Sequence, residues 1–376
     1  MNAALMDVCR DATEDESKVP RILHLVAAVT DEVYSFLGPA LRELSYMGRP
    51  QSIVLLDDEK ARKHIHHLQR HAEVVLVEKN RNKYVQYKDF YLLCCRELLR
   101  SRPTTLHFHG IVPCVIGSLA LRRCGLQAKV LYSPHGSRSL STLRLAGWLT
   151  MALARPLIRP AQSSAIATFA LQSKAFESWG SSHLIESPVH DAFLNVPRAE
   201  SAHPLVLSGG TYASIQAIEI LSQIAVLLSA EELSIGFKWL GHMDKHMVRC
   251  FDAAGVRIVD IERDSTHAAE LAAGWLYVAP WRTRGYPLFL IQAMAVGLPS
   301  VVMDTPQHRQ VIEHGTTGFL CATEDEMVRA IALLIDDAGL RARMGDAARD
   351  ATRARFGSLK FRSRLMNSYS SDLFGE

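Results

Sequence analysis

Short apolar runs, each closed by a Gly, Pro or His turn and followed by a helical pattern, recur twice in series along this chain. They constrain its fold more than any other feature. The first series runs through Arg21–Val26, Ile53–Leu56, Glu73–Val77, Leu106–His109 and Val130–Ser133, with Ser164–Phe169 and His183–Glu186 as two further strands. The runs are short and bounded, as strands buried on both faces are. Between them a helix is expected from about Gly38 to Tyr46, with Gly48 as its C-cap, and another over Phe90–Leu99. A polar stretch with two prolines, 195–204, reads as a linker. The alternation then restarts. Strands are expected at Pro204–Leu207, Phe237–Leu240, Val256–Val259, Trp275–Val278 and Ser300–Met303, and helices at Ile215–Leu228, Tyr286–Val296, Thr323–Asp336, Leu340–Phe356 and the terminal Leu359–Phe374. Strand–helix alternation predicts parallel, doubly wound sheets. The fold class is therefore α/β, with two Rossmann-like domains of 21–195 and 196–356. Residues 1–20 form a poorly ordered leader, and 357–376 form a helix that can cross back to the first domain. Ligands of such sheets sit at the carboxyl ends of the strands, which predicts a site where the two domains face each other.

The length of 376 residues fits two domains. A formal charge of +3, from 42 basic and 39 acidic residues, gives no argument for nucleic acid. The seven cysteines are odd in number and show no Cys-x-x-Cys spacing, so neither a disulfide framework nor a zinc site is expected and a reducing cytoplasm fits. Residues 11–17 are acidic where a signal peptide is apolar, and nothing reads as a membrane span.

The most informative block is Gly285-Tyr-Pro-Leu-Phe-Leu-Ile-Gln-Ala-Met-Ala-Val-Gly-Leu-Pro-Ser300, continuing to Val311-Ile-Glu-His-Gly-Thr-Thr-Gly-Phe-Leu320. An apolar helix leaves a glycine turn, stops at Gly297 and feeds a strand. Its N-terminus offers unpaired N–H groups and a positive dipole end to a diphosphate. In the first half, Leu106-His-Phe-His-Gly110 and Tyr132-Ser-Pro-His-Gly136 each end a strand in histidine and glycine. His107 and His109 alternate, so they share one sheet face, and each reads most simply as a satisfied structural histidine. His135, at a strand end, can donate a hydrogen bond to a leaving phosphate or can merely cap a turn.

Through these segments the chain resembles the retaining glycosyltransferases of family four. The matches are Gly285, Ala293-Met294-Ala295, Gly297-Leu298-Pro299, the later Glu313-His314-Gly315-Thr316-Thr317-Gly318, the His-x-His strand and the Pro-His-Gly turn. The resemblance implies two Rossmann-like domains in the glycosyltransferase-B arrangement. It also implies transfer of a sugar from a nucleotide-diphosphate sugar to a glycan or lipid-linked acceptor, in cell-surface polysaccharide or glycolipid assembly, with retained configuration. It assigns His135 to catalysis, and Gly209, Gly210, Gly241, Arg282, Arg284, Gly285, Tyr286, Leu288 and Gln292 to the nucleotide sugar. His109, Gly110 and Gly136 fall on the acceptor side. No cofactor is implied, and no metal, since no Asp-x-Asp motif occurs.

The chain departs from the family where the chemistry lies. Arg284 and Gln292 stand where the family has two glutamates, one touching the donor sugar and one gripping the ribose. Ser208-Gly-Gly-Thr-Tyr-Ala-Ser214 lacks the Arg and Lys that neutralise the diphosphate, Pro287 removes one N–H from the helix start, and Ala27-Ala-Val-Thr30 replaces a glycine-rich loop. Arg282 and Arg284 can restore the charge, or can be solvated rim residues. The alternative function is a non-catalytic binding or scaffold protein that kept the fold, and a third is another nucleotide-sugar enzyme such as an epimerase. Finally, Arg138, Arg144, Arg155 and Arg159 flank an apolar stretch, 145–154. That pattern suits either a buried helix or peripheral contact with the inner face of a membrane.

Overall fold

A computed structural model of the chain describes residues 21–135, 163–167, 181–210, 215–229, 235–243, 245–261, 263–281 and 286–370. They divide into two compact units. The first comprises 1–187 together with 361–376, and the second 188–360. The leader, the Arg138–Arg159 stretch, Gly136, Arg282, Arg284 and Gly285 lie outside the described residues.

The first unit is a seven-stranded sheet of β1 (Ile22–Val26), β2 (Gln51–Leu56), β3 (Glu73–Val77), β4 (Thr105–His109), β5 (Lys129–Ser133), β6 (Ser163–Ala167) and β7 (Ser181–Leu184). Its order is β3-β2-β1-β4-β5-β6-β7, and every pairing is parallel. Alternation of side chains decides the two faces. Leu23, Leu25, Leu106, Phe108, Val130 and Tyr132 pack with Phe90, Cys94 and Leu98 of α3 (Lys83–Ser101) and Cys114, Ala120 and Leu121 of α4 (Ile111–Cys124). Helix α4 lies tight on the sheet. A Cβ on Gly117 would fall 2.3 Å from the Phe108 ring. The opposite face carries Ile22 and Leu131, which pack with Phe36, Ala40 and Leu44 of α1 (Asp31–Tyr46).

The helix expected from Gly38 begins seven residues earlier. Thr30 caps it, its hydroxyl accepting from the Val33 amide, and Asp31 and Glu32 complement the dipole of the first turn. Pro39 sits inside this helix rather than at its start. Helix α2 (Glu59–Gln69), capped by Asp58, and helix α4 were not anticipated.

The second unit holds β8 (Leu205–Gly209), β9 (Gly236–Leu240), β10 (Val256–Val259), β11 (Leu276–Ala279), β12 (Ser300–Met303) and β13 (Gly318–Cys321), in the parallel order β10-β9-β8-β11-β12-β13. Its helices are α5 (Asp191–Asn195), α6 (Ile215–Ser229), α7 (Lys245–Ala253), α8 (Asp264–Ala273), α9 (Leu288–Val296), α10 (Glu324–Asp336) and α11 (Ala338–Phe356). The stretch read as a linker is packed within this unit. Ala199 and Ser201 donate to the carbonyls of Ala272 and Ala273 at 3.1 and 3.0 Å, and Trp275 Nε1 donates to Ser201 O at 2.8 Å. The unit accordingly begins at Pro188 rather than at 196. The last helix, α12 (Ser358–Ser370), contributes Phe361, Leu365 and Tyr369 to the buried cluster around Phe36 in the first unit. Among the described residues no helix is long and apolar enough to cross a membrane.

Each sheet reverses its strand order once, between β1 and β4 in the first unit and between β8 and β11 in the second. These switch points are where open α/β sheets leave a crevice at the carboxyl ends of their strands.

Candidate functional site

At the switch point of the second unit, β8 ends in Gly209 and runs into Gly210. A Cβ on Gly209 would lie 2.5 Å from Leu240 O, so backbone against backbone fixes glycine there. Gly241 has φ +129°, a conformation open to glycine, and its Cβ position is 3.0 Å from Gly210 O. Gly210 is less confined. Its nearest neighbours are Trp239 Cη2 and Trp281 Cζ2, both at 3.9 Å. Gly210 N donates to Leu240 O, and Gly241 N to Val259 O. The Tyr277 hydroxyl donates to Gly209 O at 2.8 Å, and the Ser208 hydroxyl to Val278 O at 2.7 Å. The glycines at 209 and 241 therefore serve close packing of the strand ends, while Gly210 leaves open space.

Helix α9 begins after Tyr286 and Pro287, both buried, two residues later than expected. Leu288 N donates back to Tyr286 O at 2.8 Å across Pro287, whose φ −81° and ψ 62° form an inverse γ-turn. No side chain caps the helix start. The helix is apolar throughout and ends at Gly297 in the left-handed region, with Leu298 N closing onto Ala293 O. Gln292 is the exception on it. This side chain is buried, and its Oε1 has no partner among the described residues. A buried amide oxygen without a donor costs about 1–3 kcal/mol, which a ligand hydroxyl would relieve. A pocket of about 490 Å³ at the carboxyl ends of β11, β12 and β13 is lined by Trp281, Met303, Glu324 and Asp325 among others. The sequence reading singled out none of its residues, and its carboxylates disfavour a diphosphate. The adjoining N-terminus of α10 is already closed by a reciprocal cap, Thr323 Oγ1 accepting from Glu326 N and Glu326 Oε2 from Ala322 N.

At the switch point of the first unit the same location is filled with imidazoles. His24 of β1 stands in register with His107 of β4. His107 and His109 share its face, and their rings are 4.0 Å apart. His135 follows the end of β5 at φ 35°, a left-handed conformation costing a non-glycine residue of the order of 1–2 kcal/mol. Its ring stacks on His109 at 5.1 Å between centroids and 11° between planes. His24 Nδ1 and His109 Nε2 are 3.2 Å apart, and His109 Nδ1 and His135 Nε2 are 2.9 Å apart. His107 is held separately, Nδ1 at 2.6 Å from the Tyr369 hydroxyl and Nε2 at 2.9 Å from Ser133 Oγ. Phe36 presents its ring to His107, His109 and His135.

Burial lowers the proton affinity of all four imidazoles. That of His24 falls to about 4, and that of His135 falls to about 3. His107 and His109 are lowered well below the usual value by burial and then by the neighbouring imidazoles. The cluster is neutral at pH 7. Gly110, with φ +96°, turns the chain from β4 into α4, and its N–H donates to Ser133 O. The structure thus brings His109, Gly110 and His135 together. Sequence reasoning missed His24 and Gln51. The signal for His24 was its place as the third residue of β1, which puts it opposite His107 once β1 and β4 are paired.

Residues 203–337 match the family model of glycosyl transferases group 1. A 77-residue stretch is 42% identical to an uncharacterized glycosyltransferase of Haemophilus influenzae, covering 20% of this chain and 22% of that protein. The chain matches less than a third of the length of the curated relatives it resembles. The fold extends over almost the whole chain. Anabaena HepE, solved in complex with UDP and glucose, superposes with a TM-score of 0.73 at 15% identity, covering 94% of this chain and all of that one. A lipopolysaccharide outer core galactosyltransferase, WaaB, superposes with a TM-score of 0.70 at 14% identity over 94% and 100%. The fold is that of the glycosyltransferase-B enzymes, and the second unit carries the group 1 sequence pattern of glycosyltransferases.

Proposed function

We propose that this chain transfers a sugar from a nucleotide-diphosphate sugar to a glycan or lipid-linked acceptor in cell-surface polysaccharide or glycolipid assembly, with retention of configuration. The observation that carries this reading is the α9 start at the switch point of the second unit. There an uncapped helix N-terminus follows the carboxyl end of β11, and a buried Gln292 Oε1 stands without a donor, inside the segment that matches the family. The helix end favours the diphosphate by its dipole and free N–H groups. Gln292 accepts from a ribose hydroxyl, in place of the stronger carboxylate of the resembled family. Gly210 leaves the backbone of the first loop open to close approach. Arg282 and Arg284 flank this start in sequence and supply the charge that the loop after β8 lacks. In the first unit His135 is the residue we assign to the sugar. HepE is a protein of the same fold solved with UDP and glucose, and WaaB acts on lipopolysaccharide outer core, which is the acceptor class proposed.

Isothermal titration with UDP, GDP and ADP, followed by a thermal-shift screen of their sugar conjugates, tests the reading. Binding raises stability by mass action, about 2.7 kcal/mol at one hundred times Kd. Absence of binding by every nucleotide at millimolar concentration rejects it. A second reading, a scaffold that kept the fold, draws on Arg284 and Gln292 occupying the two glutamate positions of the resembled family. It predicts nucleotide binding without turnover, or no binding at all. Arg282→Ala or Arg284→Ala should weaken diphosphate binding by roughly 1–3 kcal/mol for whichever side chain makes the contact.

A further inference from the structure

The imidazoles of the first unit form a chain with two ends, and each end is a buried nitrogen with no partner among the described residues: His24 Nε2 and His135 Nδ1. A neutral imidazole carries one N–H. In a chain of three such rings joined nitrogen to nitrogen, one ring's tautomer fixes the other two. If His24 carries its proton on Nε2, its Nδ1 accepts from His109 Nε2–H, and His109 Nδ1 accepts from His135 Nε2–H. The last nitrogen, His135 Nδ1, is then a bare lone pair. If the order is reversed, His135 Nδ1 is a donor and His24 Nε2 the bare lone pair. Contacts within the chain are equally good either way, so whatever stands beside His24 decides.

Gln51 stands there. It opens β2 on the face His24 occupies, paired with Ile22 two residues before His24. Its amide nitrogen is committed on both sides, donating to Leu41 O at 2.9 Å and to His71 O at 3.3 Å. Those two carbonyls settle which end of the amide is nitrogen, and they leave Oε1 as a buried acceptor without a donor. Gln51 Oε1 and His24 Nε2 lie on the same face of the paired strands β1 and β2, both buried and both without another partner, so the acceptor fixed at Gln51 selects the proton on His24 Nε2. Two unpartnered buried atoms of opposite need, the Gln51 oxygen and the His24 nitrogen, are thereby explained together.

We infer that Gln51, His24 and His109 are positioning residues that hold His135 in its Nε2–H tautomer, so that His135 Nδ1 meets substrate as a hydrogen-bond acceptor and recognises a hydroxyl. This rests on the reading that His135 faces the sugar substrate. It reverses the expectation drawn from sequence. A leaving phosphate oxygen offers only lone pairs and does not pair with a bare Nδ1, whereas a sugar hydroxyl donates to it. The low proton affinity of the enclosed ring keeps it from becoming an imidazolium donor instead. His107 is outside the chain because its partners are hydroxyls, which rotate to donate or accept and transmit no polarity.

A cation is the other occupant that three imidazoles suggest, since ligand nitrogens of His24, His107 and His109 lie within 4.8 Å of one another. The chemistry favours the hydrogen-bonded chain. Both His107 nitrogens are already engaged by Tyr369 and Ser133, and among the described residues the group includes no carboxylate to offset a divalent charge.

Long-range proton–nitrogen NMR of the full chain with ¹⁵N-labelled histidine reads the tautomers directly. We expect His24, His109 and His135 all neutral and all Nε2–H at pH 7. A Nδ1–H signal at His109 or His135, or metal-shifted imidazoles with stoichiometric zinc in the purified protein, overturns the inference. Gln51→Met removes the anchor and should let the Nδ1–H form of His135 appear beside the Nε2–H form. An unchanged His135 spectrum in this folded variant overturns the role of Gln51. Gln51→Asn, which keeps an amide but withdraws it by one methylene, makes the same test if Gln51→Met fails to fold. The tautomer pattern does not depend on turnover. If it is found as expected while His135→Ala keeps full activity, the chain stands and the assignment of His135 to the sugar falls.

Discussion

The two switch points occupy the same place in two sheets of the same design, yet they are built from opposite materials. In the second unit the strand ends carry glycines, and their packing is backbone on backbone, Gly209 against Leu240 O and Gly241 against Gly210 O. In the first unit the site carries four imidazoles, His24 and His107 in mid-strand and His109 and His135 at strand ends, and their packing is ring on ring. A glycine site is defined by sterics and has no charge state. An imidazole site is defined by hydrogen-bond direction and holds its form only while its members stay neutral. The difference separates two jobs. One place lets a ligand approach the main chain, and the other aims a particular lone pair.

Acidification should break the comparison most strongly. A histidine held neutral by burial takes up its proton on unfolding, so stability is full above the ordinary value near 6.5 and is lost as pH falls toward the folded value. For His24 and His135 that window runs from about 6.5 down to about 4 and about 3. Each such group costs about 1.4 kcal/mol per pH unit within the window. The first unit holds six histidines lowered in this way, the four of the cluster together with His64, lowered to about 4, and His71. The second unit has His267, lowered to about 3, and His308, lowered also, both by burial, and should lose less stability per unit. Amide hydrogen exchange between pH 7 and 5 should show β1 and β4 losing protection well before β8 and β11. Equal loss in the two sheets would count against the neutral cluster.

Next in size is a steric change in the second unit. Gly209→Ala drives a Cβ into Leu240 O, a main-chain atom that cannot step aside, and should cost about 3 kcal/mol. Gly210→Ala, one residue on, meets nothing nearer than 3.9 Å and should stay within about 0.5 kcal/mol. Urea denaturation of the pair measures the contrast, and similar midpoints would remove the distinction drawn between these two glycines.

The strands were legible in the sequence because a buried parallel strand is a short run of apolar residues, and the faces followed from alternation. Helix starts were less legible. Gly38-Pro39 reads as punctuation, yet the true signal was Thr30-Asp31-Glu32, whose capping role appears only when the hydroxyl is seen on the Val33 amide. Helix α4 escaped because Ile-Val-Pro-Cys-Val-Ile-Gly carries apolar residues on every side and shows no helical stripe. For the site, motif comparison pointed to His109 and His135 and to the α9 block. It could not point to His24 or Gln51, since each is one residue in an ordinary strand and acquires meaning only through pairing of β1 with β2 and β4. Conversely, the glycines at 209 and 241, assigned to the donor by resemblance, are held first by their own backbone neighbours.

Two smaller changes sharpen the contrast within the imidazole site. His135→Ala should lower turnover by about 10²-fold, with the second unit and its nucleotide affinity unchanged. Steady-state kinetics with a nucleotide sugar checks it, and unaltered turnover would leave His135 as a turn residue. Tyr369→Phe takes from His107 Nδ1 its hydroxyl partner and should cost about 1 kcal/mol of stability. Because His107 lies outside the directional chain, turnover should change by less than about twofold. A large kinetic effect would bring His107 into the relay.

The Tyr369 contact has a consequence for biosynthesis. The first unit is built from two separate stretches, one ending at residue 187 and one starting at 361, whereas the second is one uninterrupted run, 188–360. On a ribosome, the stretch before residue 188 must wait for the stretch after residue 360. Its sheet can assemble early, but the face bearing Phe36 and His107 stays open until Phe361, Leu365 and Tyr369 leave the exit tunnel. At about 5–20 residues per second, the intervening 173 residues impose a delay of the order of ten seconds or more. During that interval the nascent chain shows an apolar patch with a histidine at its centre, while the later-made unit is free to close at once. Order of synthesis and order of completion are thus inverted for these two units.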